Sequence, residues 1–518
     1  MRKLLVAMSV ISIIAALFLT GCSSGGGGGS TGGWSPPPTT SPIPQTDPPT
    51  PTPDPTDPPT PDPPDPNITV KISGTCLYPD GEPIVGATAD GQPGITTGAN
   101  GKFEGNVTVP KGEAEYTIQF SKTNFIFDEL KFTLSGSNPT YIGNNDKIIG
   151  FVPMSKGTKY RVSTPAITPY SMFTSSIALS PDGKFMYASI MLLIYRIDLN
   201  TMTATVIAGA NGATDETDGV AGNQAKFLTP IGMVVSPDGT TLYVADSGLY
   251  KIKKITGVNT ATSGSETQVY TMAGTGTSGL NNSIGSEAMF RTLRDLTISS
   301  DGNILYVCDN SNYCVRKITG VKNALSATNT QVSTIAGTGT IGHLDDTGNL
   351  AQFYYTTALV LSKDDATMYV TDTATLTASF LRKITGLTPD ATSANVTVYT
   401  LAGYMNNYNE NASFPITGNL ANFKTLSGLA LSEDEDTIFI TDTYNHRIKI
   451  VKGIKTSTTA SATTVDLFLG TGVTGKTDGN ETVAQFNQPL SLQLTKNESV
   501  LYVNENQNPT IRRIVATE

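Results

Sequence analysis

From residue 157 to 518 the chain is written in short stretches of alternating apolar and polar positions, each closed by Gly, Asn or Asp. "IGMVVS", "TLYVAD", "KIKKIT" and "TQVYTMAG" form one such group of four, with turns such as "PDGT" between them. A period of two predicts half-buried strands, and turn residues at both ends predict antiparallel hairpins. The group recurs. An apolar triad appears as Ala225-Lys226-Phe227, Ala288-Met289-Phe290, Ala351-Gln352-Phe353, Ala421-Asn422-Phe423 and Ala484-Gln485-Phe486, at spacings of 63, 63, 70 and 63 residues. An acid ending the second strand keeps the same spacing: Asp246, Asp309, Asp372, Asp442 and Glu505. A basic-apolar third strand follows each time, as in "KKIT", "RKIT" and "RRIV".

Four antiparallel strands per repeat describe a propeller blade, which buries its faces only against neighbouring blades in a ring. First strands can be counted six times: "SSIALS", "GMVVS", "DLTIS", "ALVLS", "GLALS" and "SLQL". The sixth repeat ends after its third strand. Its missing strand is predicted at the other end of the repeat region, where "RVSTPA" at 161–166 matches "QVSTIA" at 331–336. The predicted class is therefore all-β, a six-bladed propeller over 157–518. The stretch "TDTYNHRIKIV" at 441–451 resembles the NHL repeat, with Asn445 and His446 in the naming positions, and "VSTIAGTG" and "AQFNQPLSLQL" resemble its flanking strands. Tyr250 and Tyr313 depart from the His of that pattern, Ile190 replaces the acid, and the fourth repeat carries an insertion in "DTATLTASFLRKI".

Residues 67–156 alternate likewise in "ITVKISG", "GKFEGNVTV", "EYTIQF" and "LKFTLSG", which predicts a small antiparallel β-sandwich. Gly81, Pro83, Gly86, Ala87, Gly101 and Phe103 resemble the turn pattern of carboxypeptidase regulatory-like domains. The resemblance implies a spacer or adhesive unit, separate from the propeller and adding little to its stability.

The first 22 residues, with Arg2 and Lys3 before an apolar run, read as a signal peptide. "LTGC" resembles a bacterial lipobox, which implies that Cys22 carries lipid and, with Ser23 rather than Asp after it, implies an outer-membrane or cell-surface location. Residues 23–66 are a Gly/Ser stretch followed by 16 prolines in 31 residues, a leash without a core. The only membrane contact expected is that lipid. The formal charge of -10 argues against nucleic acid as a partner. The expected partner is a protein or carbohydrate ligand, and the expected state is a monomer.

Candidate chemistry is sparse. The two histidines, His343 and His446, are too few for a zinc centre. The recurring acids are assigned to turns, because a turn is what every blade needs. Loop acids Asp215, Asp218, Asp345, Asp346 and Asp478 could bind Ca²⁺, but their spacing matches no cation loop, so no cofactor is expected. The channel mouth should be lined by the starts of the innermost strands: Thr174-Ser175, Ile231-Gly232, Arg294-Asp295, Thr357-Ala358, Ser427-Gly428 and Leu490-Ser491. Arg294 and Asp295 stand out there, either as a local ion pair or, with Ser427 and Ser491, as ligand contacts. Tyr354 and Tyr355 are further candidate contacts. Cys308 and Cys314 lie on facing strands, where an oxidising compartment would permit a disulfide. A binding or adhesion protein is the leading expectation. The alternative is a metal-dependent hydrolase or lyase, lactonase-like, working at the channel mouth.

Overall fold

The computed structural model describes residues 67–90, 92–110, 116–122, 125–127, 130–135, 140–143, 147–151, 154, 159–168, 174–405, 413–508 and 510–517. The signal segment, Cys22 and the proline-rich leash lie outside them.

In the N-terminal domain, Asn67–Leu77 pairs antiparallel with Lys102–Pro110, Gly74 opposite Phe103. On its other side it pairs with Lys147–Phe151, Thr75 opposite Lys147, and this pair is parallel. The expected purely antiparallel sheet is thus corrected. A parallel neighbour needs a long crossover, which residues 78–146 supply. Ile72, Cys76, Phe103 and Phe120 are buried in this domain's core.

The repeats form six sheets, and in the first five the four main strands run in chain order from the axis outward. In blade 2 these are Pro230–Val235, Thr241–Asp246, Lys251–Thr256 and Gln268–Ala273. The innermost strands of the others are Ser176–Leu179, Leu293–Ile298, Tyr355–Leu361, Leu426–Leu431 and Pro489–Leu494. Each touches the next, and the last touches the first, so the ring is closed. The seam is the one predicted. Lys159–Ser163 lies antiparallel to Ile511–Thr517, with Arg161 opposite Val515 and Val162 opposite Ile514. First and last strands of the region thereby share blade 6, which leaves no open edge at the closure.

Blade-to-blade packing is apolar with a polar latch. On the third strands, Lys254, Lys317 and Lys383 are buried at equivalent positions. Each ammonium reaches three carbonyls of the next blade: Lys254 to those of Val321, Lys322 and Ala324, and Lys383 to those of Ile454, Lys455 and Ser457, all at 2.7–3.1 Å. The equivalent residue in blade 5 is Ile450, buried among Phe439, Phe468 and Leu501.

The equivalent in blade 6, Arg513, donates instead to the carbonyl of Pro79 in the N-terminal domain. Arg161 beside it makes a two-pronged contact with Asp80, at 2.7 and 2.9 Å. Met154 is fully buried in the cluster that fills the blade 5–6 interface, with Phe125 against it. The N-terminal domain therefore packs directly on the seam blade, contrary to the expectation that it stands apart.

Candidate binding site at the channel mouth

Each innermost strand of blades 2–6 opens with an irregular register, as between Leu293 and Leu296, or Leu426 and Leu429. Such a bulge turns one side chain toward the axis and leaves a backbone N–H out of the ladder. The residue before the recurring acid satisfies it. Thr371 Oγ1 accepts from the N–H of Ala358, Thr441 Oγ1 from that of Gly428, and Asn504 Oδ1 from that of Ser491, all at 2.8 Å. Thr441 and Asn504 also donate to the next blade, at the carbonyls of Leu490 and Thr174. These contacts draw adjacent strand starts close. A Cβ on Gly232 would stand 2.5 Å from the Arg294 carbonyl oxygen, and one on Gly428 would stand 2.2 Å from that of Leu490.

The axis encloses a cavity of about 630 Å³. Its polar end is made by Ser175, Arg294, Thr357, Ser427 and Ser491, and its far end by Leu179, Val235, Val360, Leu431 and Leu494. Of the predicted mouth residues, all but Gly232 and Ala358 line it. Tyr444 and Asn506, on second-to-third strand turns, also line it. Reading only strand starts missed them. The signal that could have found them is that these turns open on the same face.

Arg294 and Asp295 do not form the ion pair weighed above. Both line the cavity, but the Asp295 carboxyl accepts the N–H of Leu359 in the next blade, at 3.2 Å. It occupies the place held elsewhere by Gly232, Ala358 or Gly428, wedged between strands, and burial pushes its pKa up to about 7. Arg294 is open to the channel, and among the described residues it has no hydrogen-bond partner. Its enclosure by protein lowers its pKa. Ser427 Oγ accepts from Thr443 at 2.8 Å, and Ser491 Oγ donates to Asn504 at 2.5 Å.

The recurring acids are framework, though the bonds they make are not the local turn bonds alone. Asp246, Asp309, Asp372, Asp442 and Glu505 are fully buried. Each accepts an N–H from the loop 17 or 18 residues upstream, as in Arg291 to Asp309 at 3.0 Å and Tyr354 to Asp372 at 2.8 Å. In blades 3–6 a buried third-strand base faces the acid: Arg316 to Asp309 at 2.8 Å, Arg382 to Asp372 at 2.9 Å, Lys449 to Asp442 at 2.7 Å and Arg512 to Glu505 at 3.5 Å. Asn312 and Asn445 add a bond to the same carboxylates. The guanidiniums of Arg316, Arg382 and Arg512 lie over Phe290, Phe353 and Phe486 of the apolar triads, about 5 Å from each ring.

Those arginines also explain the inter-repeat acids. Asp345 accepts from Arg382 at 2.7 Å and Asp478 from Arg512 at 2.8 Å. Asp215, Asp218 and Asp346 accept backbone N–H groups of Thr217, Thr271 and Thr347. Among the described residues no His, Cys, Asp and Glu cluster has the geometry of a metal site. His343 packs on Phe380 with its ring nitrogens near Arg382 and Thr400, and burial pushes its pKa down to about 4. His446 sits in left-handed backbone, its Nδ1 accepting from the Gln488 N–H at 3.1 Å. Tyr354 stacks on His343, whereas Tyr355 is partly exposed against the edge of Tyr313.

The Cys308–Cys314 disulfide is absent, and both thiols are free. The hairpin register sets Cys308 opposite Val315 and Cys314 opposite Asp309. Directly opposed residues share a face, so the two cysteines point to opposite faces. Burial raises both thiol pKa values.

A closed ring of six sheets, held by a recurring acid and buried base, defines the class: a β-propeller with a polar mouth on its channel. Over 308 residues the chain is 24% identical to NHL repeat-containing protein 2 of Homo sapiens, a match covering 54% of this chain and 40% of that protein. The chain thus spans well under two thirds of that relative. No protein-family model matches. Among solved structures, an auxiliary nutrient binding protein from Bacteroides thetaiotaomicron aligns over 86% of this chain and 94% of its own, with 13% identity and a TM-score of 0.47. A gluconolactonase from Xanthomonas campestris aligns over 69% and 90%, with 10% identity and a TM-score of 0.40. At these scores neither structure bears on what this chain binds.

Proposed function

We propose that this is a binding protein of the bacterial envelope, tethered through lipid on Cys22 and a proline-rich leash, that presents the mouth face of its propeller to a ligand. One observation carries the binding role. The groups that could run a hydrolysis, the recurring acids, the loop acids and both histidines, are spent on holding the blades, while the cavity keeps hydroxyls and one unpaired arginine. A lactonase-like site needs several oxygen ligands converging on one point. Asp295 is the one carboxylate of the strand-start ring, and it is turned into the seam between blades 3 and 4.

Two measurements test this. Fractionated cells should show Cys22→Ser protein unprocessed or released from membranes; unchanged maturation and fractionation would refute the anchor. The full-length protein should retain ligands from an envelope extract or growth medium, and Tyr444→Ala should reduce that retention. Ca²⁺-dependent hydrolysis of lactones that is abolished by Asp295→Asn would replace the binding reading with the enzymatic one.

A further inference from the structure

We infer that the channel is a site for a monocarboxylate with an apolar body, its carboxylate held by Arg294. The inference rests on the binding reading and names the ligand class.

The charge comes first. Arg316, Arg382 and Arg512 are wholly buried, and each is bonded to a carboxylate and to backbone carbonyls. Arg294 differs in having no such partner among the described residues. It also occupies a position filled in the other blades by Ser175, Ile231, Thr357, Ser427 or Leu490, none of them charged. A guanidinium stays protonated at any physiological pH and presents a planar fork that matches a carboxylate. Arg294 is exposed to the channel and its guanidinium is unpaired among the described residues, so an anion entering the mouth meets a free partner. The neighbouring Asp295 also lines the cavity but does not pair with Arg294: its carboxyl is engaged by the Leu359 N–H.

The body of the ligand follows from the walls. Beyond the Arg294 tier the strands turn Ala178, Val234, Val360, Ala430, Leu431 and Leu494 to the cavity, with Thr297 and Gln493 as the polar exceptions, so most of the wall offers a sugar's hydroxyls no partner. A cavity of about 630 Å³ is of small-molecule size. Its polarity runs from one charge and hydroxyls at the mouth to a mainly aliphatic wall beyond, broken by Thr297 and Gln493, which is the order of groups in an acid with an alkyl or aryl tail. A short fatty acid and the C-terminal residue of a hydrophobic peptide share this chemistry.

The test is calorimetric titration of the full-length protein with hexanoate, 1-hexanol, acetate and an amidated or free-acid Ala-Leu-Phe tripeptide. Hexanoate should bind, with hexanol and acetate each weaker by roughly tenfold or more, since each lacks one half of the recognition. Arg294→Gln should cost hexanoate at least about tenfold while leaving the melting temperature unchanged, and Arg294→Lys should retain part of the affinity. Preference for the free-acid over the amidated peptide, with weaker hexanoate binding, would identify a peptide terminus as the source. Absence of hexanoate and free-acid peptide binding, or equal binding by Arg294→Gln, overturns the inference. Ligand retention that survives Arg294→Gln but not Tyr444→Ala would leave the binding role standing without it.

Discussion

At the scale of single residues, the channel ring shows how one side chain departs from a repeat. Where other blades place Gly232, Ala358 and Gly428, blade 3 places Asp295, and its carboxyl is forced between strands. Its pKa rises from an ordinary 3.8 to about 7 because burial opposes the charge. Below about pH 4 the group is protonated folded and unfolded, and stability is unaffected. Between pH 4 and 7 the unfolded chain has lost the proton that the folded chain keeps, so stability falls as pH rises, and the full penalty holds above pH 7. Asp295→Asn keeps an oxygen for the Leu359 N–H and removes the penalty. The variant should melt close to the parent at pH 4 and clearly above it at pH 8; a difference that does not change with pH would show that Asp295 is not the strained group. His343 works in the opposite sense. Its pKa is near 4 in the fold, so its contribution is lost as pH falls below 6.5. The prominence of Asp295 was legible in the sequence, because a lone charge interrupts a ring of small residues. Its orientation was not, because a bulge decides which of two adjacent side chains faces the axis.

At the scale of the strand and hairpin, alternation and turn residues located the repeated strands, and the spacing of the triads set their order. What escaped was register. Cys308 and Cys314 read as a facing pair across "DNSNY", but the turn spans Asn310–Tyr313 and offsets them by one position. One step of offset moves a side chain to the other face of a sheet. Unreduced protein should therefore yield both thiols to a labelling reagent in denaturant, and neither in the native state, where both are fully buried. Recovery of no free thiol at these positions in denaturant would restore the disulfide. The latch between blades was equally hidden. "KKIT" and "RKIT" look like exposed basic strands, yet their second lysines are buried under carbonyls of a loop some seventy residues away. Ile450 shows the dependence: Ile450→Lys should destabilise the propeller by about 3 kcal/mol or more, since the ammonium would be buried among Phe439, Phe468 and Leu501. A melting temperature equal to the parent's would refute that account.

At the scale of the molecule, two joints hold the ring shut. One is the seam strand, where Val162 is buried beside Ile514. Val162→Asp should cost about 3–5 kcal/mol, a large share of a domain's stability, and equal melting of parent and variant would refute closure by this strand. The other is the N-terminal domain, whose Asp80 holds Arg161 of that same strand. Asp80→Ala should lower stability by about 1–3 kcal/mol, because it strands a partly buried guanidinium. No change in the propeller's melting would mean that the two domains are energetically independent. The sequence made the seam visible through a near-identical pair of hexapeptides. It concealed the domain contact, since Asp80 lies in an ordinary "YPDGE" turn and only the fold brings it to Arg161.

The seam also sets a clock on the making of the protein. Its first strand leaves the ribosome at residue 163, but its partner ends at residue 517. At about 5–20 residues per second that interval is roughly 20–70 s, during which the early strand has no mate. A product that stops short of residue 511 leaves that strand unpaired and the ring open. Closure of the ring thus waits on residues 511–517, and until they emerge the early strand edge is open to any other chain that can pair with it.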